Sequence, residues 1–343
     1  MSPKKVVLIL YLELAEYTLA CISALSEKCS VHVVSWPVNT EAPFKFRELE
    51  NVHFYNRSKL KNDELFKLGE SIEPNTIICC GWLDKGYVSL CKRFRKKIPI
   101  YLTFDNQWKG GVIQNLKTII ARQLFKKTFT HVWIPGNPQK SFALKLGFKS
   151  HQIRLGYYSA DLELFRGESR TKMPKKMLFV GRYLHFKGVI ELWQAFIKFN
   201  DTTDSNWELH CAGFGNLWES RAEHSKIFHH GFLQPEELKK LISECSIFIL
   251  PSHKEPWGVV VHEMSASGLV LLLSDKIGAA SAFLKESENG LTFKSNNTDS
   301  LLDSLKTISA FTEADLIKMS KKSQQLAEGI SPNKWAETIT NEL

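Results

Sequence analysis

The stretch Phe179-Val180-Gly181-Arg182-Tyr183-Leu184-His185-Phe186-Lys187-Gly188-Val189 contains a strand, a glycine turn and the start of a helix in direct succession. The apolar run from Met177 to Val180 predicts a buried strand, and the apolar spacing after Val189 predicts a helix. Two cations, Arg182 and Lys187, lie between them. This combination suits a pyrophosphate, which needs close backbone approach, bidentate guanidinium donors, an ammonium charge and unpaired N–H groups. The alternative is an ordinary strand-to-helix turn with exposed basic residues.

A second stretch, Glu255-Pro256-Trp257-Gly258-Val259-Val260-Val261-His262-Glu263, carries two carboxylates eight positions apart. The apolar run 247–250 precedes it, so Glu255 is predicted in a loop after a strand and Gly258 at the start of a helix. A carboxylate in such a loop can face a ligand. Two glutamates at this spacing also arise by chance, so solvated surface charges are the alternative for both. His262 is predicted to be structural.

Strand-like and helix-like segments alternate along the whole chain, which is typical of a parallel sheet wound on both faces. The predicted strands are 6–12, 30–35, 52–55, 76–80, 98–103 and 131–135 in the first half, and 176–180, 208–212, 227–230, 247–250, 270–274 and 290–293 in the second. With 343 residues the chain is long enough for two domains, each with its own core. We therefore predict the α/β class with two doubly wound parallel sheets.

These stretches and others between residues 175 and 295 closely resemble the family 4 retaining glycosyltransferases of the GT-B fold. The similarity includes Ala212-Gly213-Phe214-Gly215, which is similar to the family's glycine-rich loop, and the segments 231–238 and 250–252. The resemblance implies that Arg182 and Lys187 bind the donor pyrophosphate. It also implies that Glu255 contacts the donor sugar and that Glu263 binds the ribose hydroxyls. The implied donor-binding set is Gly181, Arg182, Lys187, Gly213, Gly215, Glu255, Pro256, Trp257, Gly258, Val259 and Glu263.

Two features depart from the family pattern. Residues 264–270 lack the proline that usually follows the second glutamate, and residues 8–13 contain no glycine where many members have a glycine-rich loop. The resemblance therefore concerns the donor-binding half of the chain.

The resemblance also implies the architecture, namely two Rossmann-like domains that face each other across a central cleft. Open α/β sheets bind ligands outside the carboxyl ends of their strands, so catalysis is expected in that cleft. We expect residues 1–165 to form the acceptor-binding domain and residues 166–330 the donor-binding domain. Residues 331–343 are expected to form a C-terminal helix that crosses back to the first domain.

In the first domain, side chains just after predicted strands are candidates for the acceptor side of the cleft. Asp105 and Asn106 follow the strand at 98–103. Many family members have a histidine in that region that touches the donor sugar, and Asp105 is our candidate for this catalytic role. Its alternative is to cap the next segment. Trp82 and Glu13 are weaker candidates by the same argument, and core packing or a turn explains Trp82 nearly as well.

Positive charge is concentrated in the first half of the chain. Residues 1–160 carry 24 basic and 12 acidic side chains, whereas residues 161–343 carry 21 and 24. This asymmetry indicates an anionic partner, which is a membrane surface, a pyrophosphate-linked acceptor or nucleic acid, unless it is only a solvated basic face. In the basic segment 117–127, Ile120, Leu124 and Phe125 are predicted to share one helical stripe flanked by cations. That stripe suits a membrane interface, but it can equally pack on a sheet.

The remaining composition narrows the chemistry. Seven cysteines include no CxxC pair and no zinc-like spacing, so reduced structural thiols are predicted. No Asp-Xaa-Asp motif or carboxylate cluster suits magnesium, so we expect no metal and no cofactor, with the nucleoside-diphosphate sugar as donor substrate. The run 6–12 fits a first strand better than a signal peptide, and no stretch reaches the length of a spanning helix. The expected location is the cytoplasm, peripherally at the inner face of the membrane.

The resulting hypothesis is a retaining, metal-independent glycosyltransferase. A sugar, from UDP by preference, would move to a glycan or lipid-linked acceptor in surface-polysaccharide or lipopolysaccharide assembly. The alternative is a GT-B-like sugar-nucleotide epimerase or a non-catalytic sugar-nucleotide binder. Nucleic-acid binding has no recognised motif or stacking platform in its favour.

Overall fold

The computed structural model describes residues 4–37, 49–203 and 205–343. The chain divides into two compact units, the first comprising Met1–Ser159 and Ile330–Leu343 and the second Ala160–Gly329. The division therefore lies before residue 160, earlier than the predicted 165/166. The reason is local hydrogen bonding, since the Ala160 N–H donates to His262 Nδ1 and Ser267 Oγ donates to the Phe165 carbonyl.

The first unit is a seven-stranded parallel sheet with helices on both faces. Its strands are β1 (Val6–Tyr11), β2 (Ser30–Ser35), β3 (Val52–Asn56), β4 (Thr76–Cys80), β5 (Ile100–Thr103), β6 (His131–Trp133) and β7 (Ile153–Arg154), in the order β3-β2-β1-β4-β5-β6-β7. Its helices are α1 (Glu16–Ser26), α2 (Asn62–Ile72), α3 (Lys85–Phe94), α4 (Val112–Lys126) and α5 (Asn137–Lys145). Alternate residues of the strands feed two separate apolar cores, one on each face.

The second unit repeats this plan with a six-stranded parallel sheet. Its strands are β8 (Lys176–Val180), β9 (Glu208–Ala212), β10 (Ile227–Gly231), β11 (Ile247–Leu250), β12 (Val270–Ser274) and β13 (Gly290–Phe293), in the order β10-β9-β8-β11-β12-β13. Its helices are α6 (Leu162–Phe165), α7 (Val189–Thr203), α8 (Pro235–Ser243), α9 (Val259–Ala266), α10 (Ala280–Phe283), α11 (Thr298–Ser309) and α12 (Glu313–Ala327). The predicted class, α/β with two doubly wound Rossmann-like sheets, is confirmed.

Both sheets have a topological switch point, where the connections leave in opposite directions from two neighbouring strands. It lies between β1 and β4 in the first unit and between β8 and β11 in the second. The loops that follow those strands diverge there and leave a crevice at the carboxyl edge of the sheet. Each switch point is therefore a natural place for a ligand.

The last helix, α13 (Pro332–Thr340), belongs to the first unit. Trp335 Nε1 donates to the Tyr157 carbonyl at 2.7 Å, and the rings of Trp335 and Trp133 lie 4.7 Å apart. Beyond the helix, Glu342 accepts from Arg154 and from the Tyr101 hydroxyl. The chain thus leaves the first unit at Ser159 and returns to its core at Ile330. Among the helices described, none combines the length and apolar character that a bilayer crossing requires.

Candidate functional site

The loop after β8 is held by backbone hydrogen bonds to the loop after β9. The Gly181 N–H donates to the Ala212 carbonyl and the Tyr183 N–H to the Phe214 carbonyl, both at 3.0 Å. Gly213 has φ +144°, and a Cβ there would overlap the carbonyl oxygen of Gly181. A Cβ on Gly215 would lie 2.6 Å from the Tyr183 carbonyl oxygen. These glycines let two backbones pack together, so the turn that carries Arg182 is fixed in shape. Arg182 itself is exposed.

The loop after β8 is also joined to the loop after β11, across the switch point. The His253 N–H donates to the Phe186 carbonyl at 2.8 Å. Gly188 adopts φ +69°, and a Cβ there would overlap the Pro251 carbonyl oxygen. The 3-10 turn His185–Lys187 is therefore pressed against the segment that leads to Glu255.

Lys187 and Glu255 form an ion pair at this switch point. Lys187 Nζ donates to Glu255 Oε2, although the residues are 68 positions apart in sequence. The two side chains are only 16% and 13% exposed, and Ser252 Oγ lies 3.4 Å from the same carboxylate oxygen. A largely buried cation beside a largely buried carboxylate can exchange partners when an anionic ligand arrives.

The backbone around Glu255 is tied to the neighbouring strand end. The Glu255 N–H donates to the Lys276 carbonyl at 3.3 Å, and the Gly278 N–H donates to the Glu255 carbonyl at 3.0 Å. Gly258 precedes α9 with φ +95°, and a Cβ there would lie 2.9 Å from Glu255 Cγ. The Glu255 side chain consequently lies over the start of α9, where N–H groups without helical partners can bind an anion. Pro256 and Val259 flank this turn and are half-buried.

Trp257 differs from its predicted role. It is 1% exposed, and its ring lies 6.3 Å from Phe283 in an edge-on arrangement. Its side chain therefore anchors the loop in the core instead of presenting a surface to the donor. Burial of the large apolar ring outweighs exposure in a loop position that looked accessible from sequence.

Glu263 on α9 is half-buried and has an unusual protonation equilibrium. Burial, and secondarily the neighbouring carboxylate of Asp161, raises the pKa of Glu263 to about 7. Asp161 is itself held as the cap of α6, where it accepts from the Glu163 and Leu164 N–H groups at 3.0 and 3.1 Å. Within the described residues, no side chain or N–H pairs with the Glu263 carboxyl. It is thus available to hydroxyl groups of a ligand.

His262, the neighbour of Glu263, is part of the core. Its Nδ1 accepts from the Ala160 N–H at 2.9 Å and its Nε2–H donates to the Ala327 carbonyl at 2.9 Å. Burial lowers the pKa of His262 to about 4, so the ring is neutral at physiological pH. The geometry gives it a structural role, as the sequence analysis expected.

The candidates in the first unit follow three neighbouring strands of its sheet. Glu13 comes after β1, Trp82 after β4 and Asp105 after β5, so parallel pairing brings them to one edge. The Asp105 carbonyl accepts from Gln139 Nε2 at 3.0 Å, and Asn106 and Glu13 are exposed. Asp105 does not cap α4, whose cap residue is Gly111.

Trp82 packs against the core of the first unit. Its ring lies 5.7 Å from Phe104 and 5.2 Å from Phe125. Core packing, the alternative given above, accounts for Trp82.

Two residues and one ion pair of this region were not predicted from the sequence. Ser252 and Asp161 were not singled out, and neither was the pairing of Lys187 with Glu255. Asp161 had a readable signal, because an Asp directly before Leu-Glu-Leu-Phe is a typical helix cap. The ion pair left no signal in the sequence, since Lys187 and Glu255 are brought together only by the pairing of strands in the sheet.

Comparison with known proteins points to the same region. Residues 161–325, which lie inside the second unit, match the family model for glycosyl transferases group 1. An uncharacterised glycosyltransferase of Methanocaldococcus jannaschii is 30% identical over 135 residues, 37% of this chain and 34% of the relative. The GDP-mannose:cellobiosyl-diphosphopolyprenol alpha-mannosyltransferase of Xanthomonas oryzae pv. oryzae is 25% identical over 48% of this chain and 45% of the relative. The N,N'-diacetylbacillosaminyl-diphospho-undecaprenol alpha-1,3-N-acetylgalactosaminyltransferase of Campylobacter jejuni is 26% identical over 57% of this chain and 56% of the relative. The matched stretches thus span about a third to just over half of these relatives.

Solved structures are similar over nearly the whole chain. A glycosyltransferase from Rickettsia africae matches 99% of this chain and 97% of its own with a TM-score of 0.75 at 12% identity. An Escherichia coli structure described as trehalose-6-phosphate bound with UDP-2-fluoro glucose matches 98% of both chains, also with a TM-score of 0.75 at 12% identity. At such identities the likeness concerns the fold, and it confirms the GT-B class.

Proposed function

We propose that this protein is a retaining, metal-independent glycosyltransferase of family 4 that moves a sugar from a nucleoside-diphosphate sugar to an acceptor. The observation that carries the proposal is the Lys187–Glu255 ion pair at the β8/β11 switch point, beside the Arg182 turn. It lies within the residues that match the glycosyl transferases group 1 model.

The proposed reaction develops negative charge on the departing diphosphate. The bond between the anomeric carbon and the phosphate oxygen breaks, and the electron pair leaves with that oxygen. The acceptor hydroxyl forms the new bond, and its proton passes to the departing phosphate. Arg182 and Lys187 offset the charge that accumulates in this step. The proposal that the anomeric configuration is retained rests on the family resemblance.

Glu255 is assigned to the sugar. When the diphosphate takes over Lys187, the Glu255 carboxylate is released from its ion pair and turns to the donor sugar hydroxyls. It is then close to a carbon that gains positive charge in the transition state. Asp105, at the carboxyl edge of the first sheet, remains our candidate for a second contact to that sugar.

Glu263 is assigned to the ribose. Its carboxyl has no competing partner among the described residues, and a carboxylate can accept from both ribose hydroxyls. Gly181, Gly213, Gly215 and Gly258 shape the backbone that surrounds the donor.

The chain's own cations take the role that a metal has in other transferases. In the part of the chain that the structure describes, no three His, Cys, Asp or Glu side chains converge on a common point. We propose catalysis without a metal or cofactor, in which Arg182 and Lys187 offset the charge of the diphosphate. Turnover that disappears with EDTA and returns with magnesium would contradict this.

The acceptor is proposed to be a glycan or a lipid-linked sugar in surface-polysaccharide or lipopolysaccharide assembly. Two relatives carry diphosphopolyprenol or diphospho-undecaprenol acceptors in their names, which supports a lipid-linked acceptor. We further propose that the basic first half holds the protein at the cytoplasmic face of an anionic membrane. Nucleic acid is not proposed as a partner.

The donor nucleotide is proposed to be UDP. The E. coli structure above contains a UDP-sugar, whereas the Xanthomonas relative is named for GDP-mannose, so the base needs a direct test. Thermal-shift measurements with UDP, GDP, dTDP and their sugars provide it. A ligand at 100 times its dissociation constant contributes about 2.7 kcal/mol of stabilisation. No shift with any nucleoside diphosphate would contradict the assigned site.

Product analysis with and without acceptor separates the proposal from its alternative. A transferase leaves the sugar nucleotide intact, apart from slow hydrolysis, until an acceptor is added. An epimerase changes the sugar nucleotide with no acceptor present, and a binder changes nothing. Either of those outcomes would replace the proposed function.

A further inference from the structure

Helix α4 turns most of its large apolar side chains to solvent instead of to the core of the first unit. Its large apolar residues that are between 43% and 76% exposed are Val112, Ile113, Leu116, Ile119, Ile120 and Leu124. The opposite side of the helix carries Thr118, Ala121 and Phe125, of which Thr118 and Phe125 are buried. Surface helices of globular proteins show the opposite arrangement, with the apolar stripe on the core. The predicted common stripe of Ile120, Leu124 and Phe125 is therefore wrong, because Phe125 packs inward while the other two point outward.

These exposed apolar side chains, which we call the α4 outer face, occupy one arc of the helix at 3.6 residues per turn, and Gln123 is the polar residue of the helix within that arc. Lys117 borders this arc on one side, and Arg122 and Lys126 border it on the other. The helix itself contains no Asp or Glu, and exposed lysines lie just before and after it, at Lys109 and Lys127. An apolar arc with cations at both borders is the pattern of a helix that lies in a membrane interface.

We propose that the α4 outer face inserts into the boundary between headgroups and acyl chains of an anionic lipid bilayer. The helix has 15 residues, so it is about 22 Å long and lies in the membrane plane, short of the roughly 30 Å hydrocarbon core. Insertion of apolar side chains differs from the charge attraction proposed above, because it does not depend on ionic strength.

A second copy of this chain fits the face less well. A symmetric contact between two α4 helices would bring Lys117, Arg122 and Lys126 of each copy close to the same residues of the other. Like charges across such a contact oppose association, whereas anionic headgroups complement them. The charge around the apolar arc therefore selects lipid.

The inference rests on the proposed function only for its purpose, which is to bring the site to a lipid-linked acceptor. Its test uses the full chain with acceptor-free vesicles of about 30 mol % phosphatidylglycerol in phosphatidylcholine. We expect Ile119→Ser/Ile120→Ser to lower the vesicle partition coefficient about tenfold or more, including at about 0.5 M KCl. A matched control, Phe54→Gln/Leu155→Gln, removes two apolar side chains that are 46% and 45% exposed elsewhere in the first unit, and it should partition like the parent protein.

The insertion of α4 into the membrane is measured with a fluorophore. All seven cysteines are buried, so Ile120→Cys introduces a selectively reactive thiol for an environment-sensitive nitrobenzoxadiazole label. Emission from position 120 should rise and shift to the blue on vesicle addition, whereas a label at Asp303→Cys on α11 should not respond.

Equal partitioning of the isoleucine variant and the parent protein would overturn the proposal. So would an unchanged emission at position 120, or a dimer that sedimentation detects in the parent but not in the variant. Nucleoside-diphosphate binding, followed by thermal shift in the same samples, reports on the proposed function separately.

Discussion

At the scale of single residues, Lys187 and Glu255 depend on each other. Both are largely buried, so each charge offsets part of the free energy that it costs to bury the other. Removing one partner leaves an uncompensated buried charge, which typically costs about 3–5 kcal/mol. Function and stability are therefore coupled at this pair, and a test must separate them.

We expect Lys187→Ala and Arg182→Ala each to lower turnover by about 2–4 kcal/mol in transition-state stabilisation, because both cations act on the charge of the diphosphate. Lys198→Ala is the control, since Lys198 is an exposed lysine on α7 paired with Asp299. The double variant Lys187→Met/Glu255→Gln should regain the stability lost in Lys187→Ala without regaining turnover. Steady-state kinetics and urea unfolding give the two quantities. Full turnover in both single variants would remove the assigned site.

Glu255→Gln should lower kcat more than it raises KM for the donor. A group that contacts the sugar matters most as the anomeric carbon becomes positive, whereas a ribose contact binds ground state and transition state alike. Glu263→Ala should accordingly raise the donor dissociation constant with a smaller change in kcat. If Glu255→Gln kept its full kcat, the sugar role would belong to another residue.

Glu263 also predicts a pH dependence of stability. Its pKa in the folded chain is about 7, above the ordinary value of 4.5. The folded state therefore holds this proton more tightly than the unfolded state between those pH values, and stability falls as pH rises from about 4.5 to 7. Glu263→Gln should abolish this part of the decline, on the order of 1–3 kcal/mol, whereas exposed Glu236→Gln should not. Urea midpoints at pH 5 and pH 8 measure the difference, and parallel pH profiles for parent and Glu263→Gln would refute it.

At the scale of elements, the turns after β8, β9 and β11 are held together because their backbones are in contact. Gly213 illustrates this, since any side chain there meets the Gly181 carbonyl. The shape of the Arg182 turn therefore depends on a residue of another strand. A substitution in the loop after β9 should therefore also change the conformation of the loop after β8.

Gly213→Ala should destabilise the second unit by roughly 2 kcal/mol or more and weaken nucleoside-diphosphate binding, because the loops must separate. Gly111→Ala is the matched control, since a Cβ at Gly111 meets nothing within 4 Å and its φ is −76°. Calorimetry of both variants, followed by binding titrations, tests the pair. Equal stability of the two variants would show that the loop contact is not needed.

At the scale of the whole molecule, the chain returns to its first unit through α13. Trp335 fills the space beside Trp133 and Tyr157, and its Nε1–H satisfies a backbone carbonyl. The first unit is therefore incomplete until the last residues of the chain are in place.

Trp335→Ala should destabilise the first unit by about 3–5 kcal/mol, as expected for a buried aromatic ring. Exposed Lys334→Ala, the preceding residue, should have little effect on stability. Hydrogen exchange resolved by segment is the measurement, with protection lost in α1 and β6 but retained in β8 and β11. Uniform loss of protection across both units would contradict an effect confined to the first.

The sequence by itself determined the elements. Most predicted strands agree with the structure to within two residues, because the burial of alternating or continuous apolar residues is written in the local pattern. The two-residue strand β7 escaped, since two residues have no period. The positions of Arg182, Lys187, Glu255 and Glu263 relative to their strands and helices were readable in the same way.

Tertiary structure alone decided which of these residues meet and which way they face. Strand order placed β11 beside β8 and so joined Lys187 to Glu255. Core packing buried Trp257, and the path of α4 along its sheet sent Ile119 and Ile120 outward. A local pattern states that a residue is apolar or charged, but its neighbours are set by segments far away in sequence. Those contacts exist only once the sheets have formed, because strand pairing and the fit of side chains between elements determine them jointly.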